Sequence, residues 1–226
     1  MESSFAVRLR FRMKKGTHPT KIFIEGGVIQ KPWGLETHAY RDHLLRMDAE
    51  SRRNCFCGTV ADDIIRTHAA AARGSDVIFL GFFLNGVLRG AATLHIFGRH
   101  AEAAINIEKP WRSLGIGSAL LERSLLAARN RSIELVQVCF LAENQRMLQL
   151  ARKFQAELTF DYGMVIGKIK NPHPTPLSLM QEMVLDTNSF AAACFDFQSR
   201  LLIPLGFSQR ANRNPSSSIV ANSPVP

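Results

Sequence analysis

Apolar stretches of strand length in the middle of the chain predict a β-sheet. Residues 77–84 and 87–96 are two such stretches, and Asn85-Gly86 lies between them. Because Asn-Gly supplies the positive φ angles of a two-residue hairpin turn, the two stretches are predicted to pair. Residues 101–107 predict a third strand, antiparallel to the second, and three more strands are predicted at residues 135–141, 157–161 and 164–168.

Apolar residues at helical spacing predict the helices that separate these strands. The clearest helix spans residues 115–129, and others are predicted at residues 38–47, 60–72 and 147–154. A hairpin followed by strand, helix, strand, helix and strand is typical of one sheet with helices packed on it. We therefore predict an α/β (α+β) fold with a single mixed, mostly antiparallel sheet.

Both ends of the chain are predicted to lie outside this domain. Residues 1–33 are a basic, weakly structured lead-in, and residues 34–170 are the domain itself. After a proline-rich linker, residues 177–205 predict one or two amphipathic helices, and residues 208–226 a disordered tail. The apolar content of the C-terminal helices requires a covering surface, either the sheet domain or a second subunit in a homodimer.

The net charge of +9 on the 226 residues is concentrated at the ends. Residues 1–31 carry seven Lys or Arg against two Glu, Arg210 and Arg213 add two positive charges, and +2 is left for residues 32–205. Nucleic acid is therefore not an expected partner of the domain. A basic lead-in that contacts nucleic acid or an anionic surface stays open as an alternative.

The cysteine content and the lengths of the apolar runs indicate in which cellular compartment the protein is expected. Four cysteines in a chain of this length do not form a disulfide framework. Cys55-x-Cys57 has no second Cys pair or His pair at zinc spacing, so no metal site is expected. No apolar run approaches the roughly 20 residues that span a bilayer, and the first residues lack the apolar core of a secretory signal. A cytoplasmic protein without membrane association is expected.

One segment carries candidate chemistry: Arg112-Ser113-Leu114-Gly115-Ile116-Gly117-Ser118-Ala119, between a predicted strand and a predicted helix. Two glycines one residue apart let a ligand approach the backbone, and the N–H groups at a helix start form a phosphate-binding nest. A P-loop is excluded because no Lys follows Gly117, and a dinucleotide fingerprint is excluded because Leu120 stands where the third glycine belongs.

This segment resembles the acetyl-CoA loop of the GNAT superfamily of N-acetyltransferases, whose pattern is Gln/Arg-x-x-Gly-x-Gly/Ala. The superfamily's second signature, an Asn before a short amphipathic helix, is matched by Asn144. Ala101-Glu102-Ala103-Ala104 and Ala142-Glu143-Asn144-x-x-Met147 resemble bacterial protein lysine acetyltransferase domains. Element order matches over residues 34–170 and the motifs over residues 101–160. The resemblance implies an acyl-CoA N-acyltransferase-like fold that uses acetyl-CoA to acetylate an amine of a small molecule or a protein lysine.

The resemblance also implies roles for individual residues. The strand before the loop would pair with the extended pantetheine arm, the loop amides would hold the pyrophosphate, and Asn144, a natural helix cap, would line the cofactor groove. Glu102 would be the general base, with Glu108 and His100 as rivals. The implied cofactor-binding residues are Ile105, Ile107, Arg112, Leu114, Gly115, Ile116, Gly117, Ser118 and Asn144.

The chain departs from the family pattern at two places. Ala151 stands where many members have a Tyr that acts as general acid, and Gln155-Ala156 stands where a Gly-Phe pair is usual. Tyr162 is an alternative acid. Because thiolate is a tolerable leaving group, a missing acid weakens catalysis without excluding it. A catalytically degenerate, acyl-CoA-binding regulatory module is the alternative function.

Overall fold

The structure, a computed structural model, describes residues 26–31, 37–72 and 74–202. Among these described residues, seven strands form one sheet: β1 (Gly27–Gln30), β2 (Val77–Leu84), β3 (Val87–Phe97), β4 (His100–Ile107), β5 (Leu135–Leu141), β6 (Glu157–Asp161) and β7 (Met164–Lys170). Their spatial order is β1-β2-β3-β4-β5-β7-β6. The predicted tail from residue 208 and most of the predicted lead-in lie outside the described residues.

In the part of the chain that the structure describes, six α-helices accompany the sheet: α1 (Thr37–Arg46), α2 (Ala49–Phe56), α3 (Asp62–Ala71), α4 (Ile116–Arg129), α5 (Gln145–Lys153) and α6 (Pro176–Leu202). Four of them match the helices predicted from apolar spacing, and α6 is a single helix where one or two were expected. The sequence did not predict α2. Its eight residues bury only Ser51, so they carry no apolar stripe, and Asp48 caps the helix by accepting a hydrogen bond from the Ser51 amide at 2.7 Å.

The core lies on both faces of the sheet. Successive strand residues point to opposite faces, so the neighbours Ala91 and Ala92 of β3 belong to different layers of the core. Ala91 packs in one cluster with Leu44 of α1 and Ile65 of α3, whereas Ala92 packs with Leu120 of α4 on the other side. Helices on both faces of a mostly antiparallel sheet confirm the predicted fold class.

The feature that creates a site is the parting of β4 and β5, the one parallel pair among the described strands. The two strands pair from His100–Leu135 only as far as Glu102–Gln137. Beyond that point β4 continues to pair with β3, and β5 continues to pair with β7. The second half of β4 therefore presents its backbone edge to a wedge-shaped opening rather than to a neighbouring strand.

The C-terminal helix α6 docks beside β1 and α4 through polar side chains. Lys31 contacts Glu182 at 2.8 Å and Asp186 at 2.5 Å, and Arg123 contacts Asp186 at 3.2 Å. Ser178 is buried and donates a hydrogen bond to Asn130 Oδ1 at 2.6 Å. The helix thus packs on the sheet domain, one of the two arrangements expected, but it does so through its polar face.

Within the described ranges, no helix combines the length and the apolar character that crossing a bilayer requires.

Candidate functional site

A cleft of about 390 Å³ opens where β4 and β5 part. Its walls come from the second half of β4, the loop that follows it, and the helices α2, α4 and α5. The cleft therefore gathers segments that are more than 100 residues apart in the chain around the exposed edge of one strand.

The loop between β4 and α4 has the backbone of an anion-binding nest. Ser113 and Gly115 both have left-handed backbones, with φ of 62° and 85°, and α4 begins immediately afterwards at Ile116. Left-handed residues in such a tight turn point successive N–H groups toward one concave surface. The positive end of the α4 dipole adds to this field. The loop is therefore suited to hold a phosphate group at the mouth of the cleft.

Gly117 has a different reason to be glycine. Its φ is ordinary, but a Cβ at this position would lie 3.2 Å from Ile107 Cδ1 and 3.8 Å from Leu150 Cδ2. All three residues line the cleft. The bare backbone at position 117 lets strand and helix approach each other and keeps the cleft open between them.

Arg112 fixes the loop in place. Its Nε donates to the Ile107 carbonyl at 3.0 Å, and its Nη2 donates to Ser51 Oγ on α2. Because the Ser51 hydroxyl in turn donates to Asp48, a continuous set of hydrogen bonds ties the loop to the start of α2. The guanidinium also lines the cleft, so one side chain both shapes the loop and supplies positive charge.

The cleft is electrostatically one-sided. Its described lining contains three cations, Arg112, Arg146 and Lys153, and no Asp or Glu. Lys153 on α5 donates to Ser118 Oγ at the start of α4, at 2.9 Å, so its ammonium group lies beside the loop. A cleft of net positive charge next to a phosphate-binding nest fits a polyanionic ligand.

Seven of the nine cofactor-binding residues predicted from the sequence line this one cleft. The other two, Leu114 and Ile116, are not in its lining. The Leu114 side chain is 45% exposed, and that of Ile116 is 1% exposed and packs in the core with Leu120. Asn144 both lines the cleft and caps α5, where its Oδ1 accepts a hydrogen bond from the Met147 amide at 3.2 Å.

Glu102 lies outside the cleft lining but at the point where the strands separate. It is the last β4 residue that pairs with β5, it stands opposite His95 of β3, and its side chain is exposed. Cys57 lies near Glu102 on the same face. The pKa of its thiol is raised mainly by burial, and to a smaller extent by electrostatic repulsion from Cys139 and from Glu102. Glu102 therefore faces solvent on the side of the sheet that carries α1 to α3.

The rival candidates are less suitable. His100 is exposed at the start of β4, and Tyr162 is fully exposed in the turn between β6 and β7. Glu108 is buried and accepts from Arg46 at 2.9 Å and from Arg89 at 2.9 Å, and it contacts His43 Nδ1 at 3.2 Å. Burial opposes its ionisation, but these hydrogen bonds outweigh burial and lower the pKa of Glu108 to about 2. A carboxylate with so low a pKa is a poor proton acceptor at neutral pH.

Sequence reasoning missed several lining residues. Arg146, Met147, Leu150 and Lys153 recur at helical spacing on α5, so the signal for a ligand-facing side of that helix was present. No comparable signal marked α2, which contributes Ser51, Asn54 and Cys55.

Asn106 is a further missed residue, and it links the cleft to the buried charges beneath it. Its side chain is 4% exposed, lines the cleft, and lies 2.7 Å from His43 Nε2 through Oδ1. The other nitrogen of His43 contacts Glu108. The chain from Glu108 through His43 fixes the orientation of Asn106 on the face of β4 that carries α1.

Comparison with known proteins identifies this architecture. Residues 41–155, just over half of the chain, match the acetyltransferase (GNAT) family model. Searching the curated protein sequences returns no match. Solved structures with the same fold include the GNAT domain of PAT from S. lividans, with a TM-score of 0.56 and 16% identity over 63% of this chain and 89% of that one.

Two other similar structures have the same fold. The ribosomal-protein-S18-alanine N-acetyltransferase from Escherichia coli has a TM-score of 0.54 and 15% identity, over 66% of this chain and 97% of that one. The PaiA N-acetyltransferase from Thermoplasma acidophilum, solved in complex with coenzyme A, has a TM-score of 0.52 and 17% identity, over 64% of this chain and 98% of that one. The sheet order, the parted strands and the family match lead to one conclusion: the chain belongs to the GNAT family of acetyltransferases.

Proposed function

We propose that this protein transfers an acetyl group from acetyl-CoA directly to an amine, of a small molecule or of a protein lysine. The observation that carries the proposal is the cationic cleft, which combines a left-handed glycine loop at a helix start with the open edge of β4. Support comes from the family match and from the related fold of the T. acidophilum enzyme, which binds coenzyme A. The cytoplasmic location expected from the sequence belongs to the same proposal.

The cleft residues fit acetyl-CoA in charge and in shape. The loop amides of residues 114–118 would bind the pyrophosphate, and Arg146 and Lys153 would neutralise further phosphate charge. The amide-rich pantetheine arm would pair with the free edge of β4 at Ile105 and Ile107, as an added strand does. Gly117 leaves room for that arm between strand and helix.

The free backbone edge of β4 also supplies a hydrogen-bond donor for the reaction. Acetyl-CoA, when bound, supplies the activated acyl group as a thioester. An N–H group of β4 that is not used in the sheet would donate to the acyl oxygen and stabilise the negative charge that develops there. The strand is held rigidly by its ladder to β3, so this donor is in position before the reaction starts.

Direct attack by the amine is favoured over a covalent enzyme intermediate. Cys55 lines the cleft, and burial raises the pKa of its thiol to about 12. Because the thiolate is the nucleophilic form, Cys55 stays protonated and inert at neutral pH. The acceptor amine therefore attacks the acyl group directly, and no acyl-enzyme intermediate forms.

Glu102 is our proposed general base. An acceptor amine is an ammonium ion at neutral pH, and a positioned carboxylate that takes its proton contributes about 10²–10⁴-fold to the rate. Glu102 lies three residues before Ile105, about 10 Å along the strand, and it is open to solvent. A short chain of water molecules between the amine and the carboxylate would relay the proton over that distance.

We expect Glu102→Gln to lower kcat by at least about tenfold, because it keeps the shape of the side chain and removes its basicity. Acetyl-CoA affinity should be nearly unchanged, since Glu102 lies outside the cleft lining. Steady-state kinetics across pH will measure the change in kcat and in the acidic limb of the profile, and calorimetry will measure affinity.

Glu157→Gln is the matched control, because Glu157 is also an exposed strand carboxylate but lies on β6 at the far edge of the sheet. It should leave kcat unchanged. A wild-type kcat and pH profile in Glu102→Gln would assign the base to water or to His100 instead.

Release of free thiol from acetyl-CoA over a panel of amines tests the function as a whole. The panel should include polyamines, aminoglycosides, amino acids and lysine-containing peptides. Turnover with any of them supports the proposal. The alternative, an acyl-CoA-binding regulatory module, is favoured by Ala151, which is fully buried and offers no hydroxyl to the leaving group. Tight acetyl-CoA binding without turnover over the whole panel would establish that alternative.

A further inference from the structure

The C-terminal helix α6 is turned the opposite way from an ordinary surface helix. Amphipathic helices usually bury their apolar stripe and expose their polar one. In α6 the polar residues Ser178, Glu182 and Asp186 contact the domain. The apolar residues on the opposite side are exposed, with Leu177 at 75%, Met180 at 63% and Val184 at 44%.

These exposed residues form a regular seam, which we define as Leu177, Met180, Val184, Thr187 and Ala191. All five are exposed, and their spacing alternates between three and four residues. This is the a/d spacing of a coiled-coil heptad, which brings every member onto one side of a helix and fits the side of a second helix. In the sequence the same spacing continues at Cys194, Gln198 and Leu201.

We infer that this seam is an interface on which α6 of a second copy of the same chain packs, so that the protein is a homodimer. This surface lies on the opposite side of α6 from the domain contacts, and the inference is independent of the proposed catalytic activity.

Two features favour a second copy as the occupant. The seam contains no charged residue, so two identical seams can meet without repulsion. A matching stripe is also absent from the rest of the described chain. Outside α6, the only described helix with an exposed large apolar side chain is α3, and there Ile64 stands alone. Another copy supplies the required seam, and closed two-fold dimers are the commonest soluble assemblies.

Analytical ultracentrifugation of the full chain tests the inference, over roughly 1 to 100 µM, the range in which moderately tight dimers dissociate. The wild type should sediment at twice the monomer mass of 25.2 kDa. The double variant Met180→Glu with Val184→Glu places four carboxylates in a two-fold seam. It should weaken association at least tenfold or leave only monomer.

Leu179→Glu is the matched control, because Leu179 is an exposed leucine on the same helix but off the seam. It should associate like the wild type. Circular dichroism and coenzyme A affinity should be unchanged in all variants, which separates loss of the interface from loss of the fold.

Three results would overturn the inference. These are a monomeric wild type over the whole range, a double variant that still dimerises, and equal weakening by Leu179→Glu. A monomeric wild type overturns the inference even if its seam binds phospholipid vesicles or is covered by another part of its own chain.

Discussion

Gly115→Val and Gly117→Val should each lower the affinity for acetyl-CoA by at least about 100-fold, equivalent to about 2.8 kcal/mol. The two variants act at the same loop for different reasons. Isothermal titration calorimetry with acetyl-CoA and with coenzyme A measures the loss. The melting temperature of each variant confirms that the domain remains folded.

At position 115 the cause is the backbone. Gly115 has φ of 85°, where a residue with a Cβ costs about 1–2 kcal/mol and a β-branched one more. Valine would relieve this strain by moving the loop toward an ordinary backbone, which turns the N–H groups of residues 114–118 away from their common point. The phosphate-binding nest would then be lost even though no side chain enters the cleft.

At position 117 the cause is space. A Cβ there already lies 3.2 Å from Ile107 Cδ1, so the two γ-methyl groups of valine must displace Ile107 or project into the cleft. Either movement occupies the gap through which the pantetheine arm would pass. Gly117→Ala requires only a small shift of the flexible Ile107 end, so its affinity should fall between those of the wild type and the valine variant.

Gly163→Val separates the loss of binding from the general cost of a strained valine. Gly163 has φ of 83°, almost the value at Gly115, but it lies in the turn between β6 and β7, where a Cβ would have nothing within 4 Å. The variant should lower stability without changing acetyl-CoA affinity. Unchanged affinity in both loop variants would remove the phosphate-binding role from this loop.

The difference between the predicted and the observed site follows from what a local pattern can encode. The strands, the hairpin and α4 were predictable from local signals, namely apolar runs of strand length, the Asn85-Gly86 turn, and apolar residues at helical spacing. The loop was predictable because two glycines one residue apart have few structural explanations. The short polar helix α2 was not predictable, because it buries only one residue of eight and is held by contacts to other segments.

Long-range charge pairing has no local signal. Glu108 follows an apolar strand, a position typical of an exposed charge, yet its partners Arg46 and Arg89 are 62 and 19 residues away in sequence. The orientation of α6 shows the same limit. Its apolar stripe predicts a covering surface on the domain or on a second subunit, but Lys31 and Arg123 hold its acidic face against the domain instead.

Glu108→Gln is expected to cause the largest loss of stability, about 3 kcal/mol in the free energy of unfolding at pH 7. The pKa of Glu108 falls from its ordinary value of 4.5 to about 2 in the folded protein, and a difference of that size corresponds to about 3 kcal/mol. Arg46 and Arg89 lose their shared counter-charge in the variant, and the buried His43 loses its contact with the carboxylate. Removing the carboxylate from a partly buried ion-pair network leaves its partners uncompensated, which is costly.

The loss should depend on pH in a direction that identifies its cause. Because the folded pKa lies below the unfolded one, the unfolded chain binds more protons between pH 4.5 and pH 2. The stabilising effect of the Glu108 carboxylate is therefore complete above about pH 4.5, and it disappears as the pH falls toward 2. The difference between wild type and Glu108→Gln should shrink by more than half between pH 7 and pH 3.

Urea denaturation at pH 7, 4 and 3 measures this difference, with Glu134→Gln as the control. Glu134 pairs with Arg99 on the surface, where both side chains are exposed, and exposed pairs contribute about 0–1 kcal/mol. The control should therefore stay close to the wild type at every pH. If Glu108→Gln is as stable as the wild type at pH 7, the two arginines do not depend on this carboxylate. If its destabilisation is the same at pH 7 and pH 3, the effect comes from packing. A loss caused by the missing charge would shrink at pH 3, where Glu108 of the wild type no longer stabilises the fold fully.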